Sequence, residues 1–177
     1  MKRFFSILLL FALSSAAFAQ KTIPQRLELV EIEVDEGSTT LEVFNMPQDG
    51  QSHYFLSVGT LGAGDDVFQF QFDPIFELFL PLGDSLDEAM ESLQLMQSLL
   101  KTEPGNTLER PGCLAAAFPN DRLETVKVTY RKVLLSRMLE FSVEREGYIR
   151  ATHISRVDFN SLVSGMKMYR KIHPKVK

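Results

Sequence analysis

The chain has 177 residues, is 45% hydrophobic and 24% charged, and carries a formal net charge of −4 with one cysteine. Those values suit one ordinary globular domain whose core is large enough to hold by packing, and they exclude an internal disulfide. The negative balance and the lack of a binding motif argue against nucleic acid as a partner.

Residues 1–19 read as a cleaved signal peptide. Lys2 and Arg3 form a positive start, Phe4 to Leu13 an apolar run, and Ala17-Phe18-Ala19 a small-x-small cleavage pattern. The apolar run is too short to span ~30 Å of hydrocarbon at 1.5 Å per residue. No cysteine follows the cleavage pattern, so a lipid-modified N-terminus is not expected. No later stretch approaches ~18 consecutive apolar residues, so no transmembrane segment is expected after signal removal. The expectation is a bacterial protein, periplasmic or secreted, with residues 20–177 as a single domain.

Removal of residues 1–19 moves the net charge to −6 and exposes a division. Residues 20–120 hold 4 Lys/Arg and 17 Asp/Glu, whereas residues 121–177 hold 13 and 6. Such a division arises either from two halves that pair their charges or from a bipolar surface with a basic contact face.

The alternation of Val30, Ile32 and Val34 with Glu31 and Glu33 predicts a half-buried strand. Leu41 and Val43 begin a second strand, and His53 to Val58 a third. Phe68, Phe70 and Phe72 alternate with Val67, Gln69 and Gln71, which also predicts a strand. Ile75 to Leu80 is a further strand or short link, stopped by Pro81-Leu82-Gly83. Ser85 with Glu88 fits a capping box, and Leu86, Ala89, Met90, Leu93, Met96, Leu99 and Leu100 form one helical stripe. Residues 102–122, with three prolines and two glycines, read as a long irregular segment and a first place to look for a binding surface.

The run from Val126 to Glu144 alternates like a strand but is too long for one, and it must break near Leu134 to Arg137. No glycine marks the break. Glu146-Gly147 predicts a hairpin turn into Tyr148 to Ile154. Ser155 with Asp158 is a second capping box. Val157, Leu162, Val163, Met166 and Tyr169 then give the stripe of a final helix, with Lys167, Arg170 and Lys171 near its end. Both halves thus run strands and then one capped helix. The expected class is α+β, a mainly antiparallel sheet of about six or seven strands with two helices packed on one face.

Catalytic patterns are sparse. His53, His153 and His173 fall at no metal-ligand spacing, and Gly62-Ala63-Gly64-Asp65-Asp66 offers too few oxygens for calcium. No metal or other cofactor is expected. Cys113 with His153 is the one conceivable nucleophile and base; in Pro111-Gly112-Cys113-Leu114-Ala115 the thiol otherwise reads as a small buried apolar residue.

The leading expectation is a non-catalytic, exported binding module for a protein, a peptide or an anionic envelope component. Its interaction surface would come from Arg131, Arg137, Arg150, Lys167, Arg170 and Lys171. A hydrolase using Cys113 is the alternative, and an apolar-ligand carrier, suggested by ten phenylalanines beyond residue 19, is the third.

Overall fold

The computed structural model describes residues 26–34, 39–47, 50–60, 76–114, 123–145 and 147–174. The signal segment, the Phe68-Phe70-Phe72 alternation and the Gly62–Asp66 loop lie outside those residues. The fold is α+β. Strands β1 (Leu27–Val34), β2 (Thr39–Asn45), β3 (Tyr54–Thr60) and β4 (Phe76–Gly83) precede helix α1 (Leu86–Leu99). Strands β5 (Thr107–Leu114), β6 (Glu124–Val133), β7 (Ser136–Arg145) and β8 (Tyr148–Ser155) precede helix α2 (Arg156–Ile172). The eight strands form one antiparallel sheet in sequence order. Among the described residues, each half therefore runs through four strands and then a helix.

The strand count exceeds the expected six or seven because β5 lies inside the segment read as irregular. Pro111 and Gly112 prompted that reading, yet both sit in β5, opposite Thr125 and Glu124 of β6. A proline lacks the N–H that a ladder needs and is confined to edges and bulges. Here it fits because β5 pairs with β4 only at Leu78–Leu114 and Phe79–Cys113, so Pro111 lies beyond that short seam. Pro81 likewise does not stop β4. It lies opposite Phe55, next to a register shift in β3 that loosens the ladder locally.

Both serine N-caps form at the expected places. Ser85 Oγ accepts from Glu88 N–H at 3.2 Å, and Glu88 Oε2 accepts from Asp84 N–H at 2.7 Å. Ser155 Oγ accepts from Asp158 N–H at 3.2 Å. Each serine satisfies a backbone donor that the first helical turn would leave open.

The apolar rows of the strands and the stripes of both helices share one core. Leu41, Val43, Leu56, Val58, Leu78 and Leu80 from the first half meet Val126, Val128, Leu139, Phe141 and Ile154 from the second. Helix α1 adds Leu93 and Met96, and α2 adds Phe159, Leu162, Val163 and Met166. Val157 departs from the expected stripe: it is 71% exposed, in the first turn of α2. Gly165 lets α2 approach β1 closely, since a Cβ there would lie 2.7 Å from Val30 Cγ1.

A second, smaller cluster occupies the opposite face of β2 to β5, with Phe44, Met46, Phe79 and Cys113 buried together. The Arg26 guanidinium lies 4.2 Å from the Phe44 ring centroid and bonds the carboxylates of Glu42 and Glu77. Its charge is thus held between two acids over aromatic faces.

Candidate functional site

The structure does not bring the two candidate catalytic residues together. Thr107, Thr129, Glu140 and His153 form one transverse row across β5 to β8. Cys113 lies six residues further along β5, about 20 Å away at the usual rise per residue, and three strand spacings add about 14 Å sideways. A nucleophile must reach its base at hydrogen-bond distance. Burial, and then the Glu124 carboxylate, push the Cys113 thiol above its ordinary value, the opposite of activation.

The six basic candidates do not form one patch. Arg131 donates to both oxygens of Glu140, at 2.9 and 3.2 Å, and His153 Nε2 lies 3.0 Å from Glu140 Oε2. Arg170 reaches Asp87 on α1 at 2.6 Å and so joins the two halves. Lys167 and Lys171 are exposed on α2, and Arg150 is exposed on β8 opposite Val143. Arg137 sits at the start of β7, six residues and about 20 Å along the strand from that position. The basic candidates are therefore spread over four elements, β6, β7, β8 and α2, and over two ends of the sheet.

The Glu140 carboxyl is held below its ordinary range, first by the hydrogen bond from Arg131, against the opposing effect of its own burial, and then by His153. A depressed carboxyl stabilises the fold above its unfolded-state value, and that contribution is lost as pH falls through the lowered folded-state value. Arg131→Gln is expected to move the Glu140 titration back up toward the ordinary range and to raise the pH of acid unfolding. Carboxyl carbon chemical shifts followed through an acid titration measure this directly. An unchanged Glu140 titration in the variant would show that Arg131 does not hold it.

The β6–β7 turn carries the feature that departs most from local rules. Val133 lies opposite Ser136, leaving Leu134 and Leu135 as a two-residue turn. Leu134 has φ 54, and it is the non-glycine with positive φ among the described residues. Two-residue hairpin turns with positive φ ordinarily take Gly, Asn or Asp there, because a Cβ in the left-handed region costs about 1–2 kcal/mol. Leu134 is 90% exposed and Leu135 97%. Exposed Val133 precedes them. Residues 131–137 hold Arg131, Lys132 and Arg137 and no acid. Lys132 and Arg137 stand directly opposite each other, an arrangement that like charges disfavour. Ser155 lies opposite Met138, so α2 begins beside this end of the hairpin and adds exposed Arg156 and Val157.

The sequence requires a break near Leu134 to Arg137 but does not place it, and it gives no sign that Leu134 and Leu135 face water. Of the residues at this end, only Arg131 and Arg137 were among the candidates. The available signal was the required break near Leu134 combined with the absence of any turn-forming residue.

A shallow cleft of about 460 Å³ lies between α1, β4 and β5, lined by Leu82, Glu88, Glu91, Ser92, Leu95 and Arg110. Arg110 Nη2 donates to Ser92 Oγ at 3.1 Å and to the Pro81 carbonyl at 3.3 Å. Its lining mixes acids with one cation, which does not suit an apolar ligand. Among the described residues no group of three or more His, Cys, Asp or Glu is placed to hold a metal ion, and no helix is long and apolar enough to cross a membrane.

No family model matches the chain, and no curated protein matches it. Among solved structures, the crystal structure of WHY1 from Arabidopsis thaliana aligns over 82% of this chain and 85% of that one, with 15% identity and a TM-score of 0.37. The exclusion of nucleic acid from the partners is withdrawn. That exclusion rested on the negative net charge, the lack of a binding motif and the expected compartment, and net charge averages over a surface. Here the cations of residues 121–177 are separated in sequence from most of the acids, so the average says nothing of a local face. A likeness of this size assigns no ligand to this chain.

Proposed function

We propose that the chain is an exported, non-catalytic binding module that makes contact through the β6–β7 turn. The observation that carries this reading is Leu134. A bulky side chain is held in the left-handed region where glycine would serve better, and two leucines are displayed to water. The hairpin gains no packing from either. Departures from local rules with no structural return concentrate where a molecule meets something else. The leader-like residues 1–19 support the exported part of the reading, and the separation of Cys113 from His153 supports the non-catalytic part.

A photo-crosslinking amino acid placed at position 135 in cells is expected to give a discrete adduct, while the same group at exposed Gln94 on α1 gives none. Equal labelling from both positions would remove the tip as the contact. A reporter joined behind residues 1–19 is expected outside the cytoplasm, and its retention inside would remove the exported part.

A further inference from the structure

We infer that the β6–β7 tip is a docking knob for an anionic phospholipid surface, with Leu134 and Leu135 entering the interface and Lys132, Arg137 and Arg156 resting on the headgroups. The inference rests on the binding reading above and names its partner.

Three observations favour a bilayer over a protein or a nucleic acid. First, the leucines form a convex end. With 90% and 97% of their surface in water, they have no groove around them to receive a peptide. A bilayer interface accepts a protruding apolar group without a preformed pocket. Second, the cations stand at the right height. A strand rises about 3.3 Å per residue, so Lys132 and Arg137, two residues behind Leu134 and Leu135, lie roughly 7 Å behind the leucines. Apolar groups of interfacial proteins enter about 5–10 Å into the headgroup and acyl boundary, which places the cations among the phosphates. Third, Lys132 and Arg137 repel each other across the hairpin, and an anionic surface relieves that repulsion. Nucleic acid would satisfy the cations but leave the leucines in water, since neither is an aromatic that stacks on bases.

The chain contains no tryptophan, so Leu135→Trp supplies a single fluorophore at the tip. The probe surfaces are vesicles of phosphatidylcholine with phosphatidylglycerol, and vesicles of phosphatidylcholine alone. The protein is the chain recovered after export, as the cell processes it. Emission is expected to shift to the blue with phosphatidylglycerol vesicles and much less with phosphatidylcholine alone. Co-sedimentation of the unsubstituted chain should weaken about fivefold for each cation removed in Lys132→Gln and Arg137→Gln, and about tenfold or more in Leu134→Gly with Leu135→Ser. The last pair suits the turn better than the leucines do, so its melting temperature should rise, and a loss of binding is then not a loss of fold.

Equal co-sedimentation of the chain and the Leu134→Gly, Leu135→Ser variant would overturn the inference. So would binding of a single-stranded oligonucleotide that depends on Lys132 and Arg137 in the absence of any vesicle binding. In that second case the crosslinking result at position 135 still stands, and only the lipid partner falls. If position 135 also gives no adduct in cells, the binding reading falls with it.

Discussion

Gly112→Val is expected to destabilise the fold by about 3 kcal/mol, the upper end for forcing atoms into a filled interior. The cause is the close approach of three strands at one point of β5. A Cβ on residue 112 would lie 2.5 Å from Val126 Cγ2 and 3.1 Å from the Phe79 carbonyl oxygen. Val126 belongs to β6 and is fully buried, and Phe79 belongs to β4. The substitution therefore presses on both neighbours of β5 at once. It does so where β4 and β5 share only two residue pairs, so the seam between the halves has little ladder to resist. Glycine ordinarily weakens a strand through its entropy and missing side chain, and close backbone approach is what retains it here. Urea unfolding at constant m-value measures the loss. Gly112→Ala combined with Val126→Ala should recover part of it, because the contact with the side chain is relieved while the one with the carbonyl remains. A Gly112→Val variant as stable as the parent would mean that the strands are further apart than described.

Phe159→Ala should cost more, about 3–5 kcal/mol for truncating a fully buried phenylalanine. Phe159 has no exposed surface and sits in the first turns of α2. Its ring lies 6.3 Å from that of Phe141 on β7, tilted by 35°. Removing it empties the point where the final helix meets the second half of the sheet. Phe159→Leu keeps most of the volume and should cost less than half as much. The two midpoints in urea, read together, separate a cavity from a helix-propensity effect, since alanine and leucine are both good helix formers. A loss below about 1 kcal/mol in Phe159→Ala, the range of a partly exposed site, would place Phe159 outside the core.

The legible parts of this fold were those where two local rules agree. At Ser85 and Ser155 a cap residue, an acid three positions on and a helical stripe all coincide, and both helices begin as expected. The rows Val30-Ile32-Val34, Val126-Val128-Tyr130 and Leu139-Phe141-Val143 each keep a period of two in the sequence. The segment after α1 was misread because Pro111 and Gly112 carry a strong turn signal. Their strand role depends on neighbours, a short seam on one side and a close approach on both, that no local window contains. The β6–β7 break was inferred from length alone, since a leucine at positive φ has no local signature. The candidate site was hidden for the same reason. Its apolar residues match the interior rows on either side, and only the register Val133–Ser136 shows that two of them face water.

The basic candidates show the opposite case. They were chosen by composition, and the structure gives several of them other work: Arg131 holds Glu140, and Arg170 ties α2 to α1 at Asp87. Exposed ion pairs of this kind contribute little to stability. They do remove those cations from any simple count of a contact face.

The contact of α2 with β1 through Gly165 and Val30 also sets an order of events during folding. Every strand pairing joins neighbours in sequence, so most of them close a modest length of chain, and only β4 with β5 must also enclose a helix. The cover of Val30 comes instead from the far end of the second half. The sheet can therefore assemble pair by pair, while its first strand waits for α2 to dock before that side of the core is closed to water.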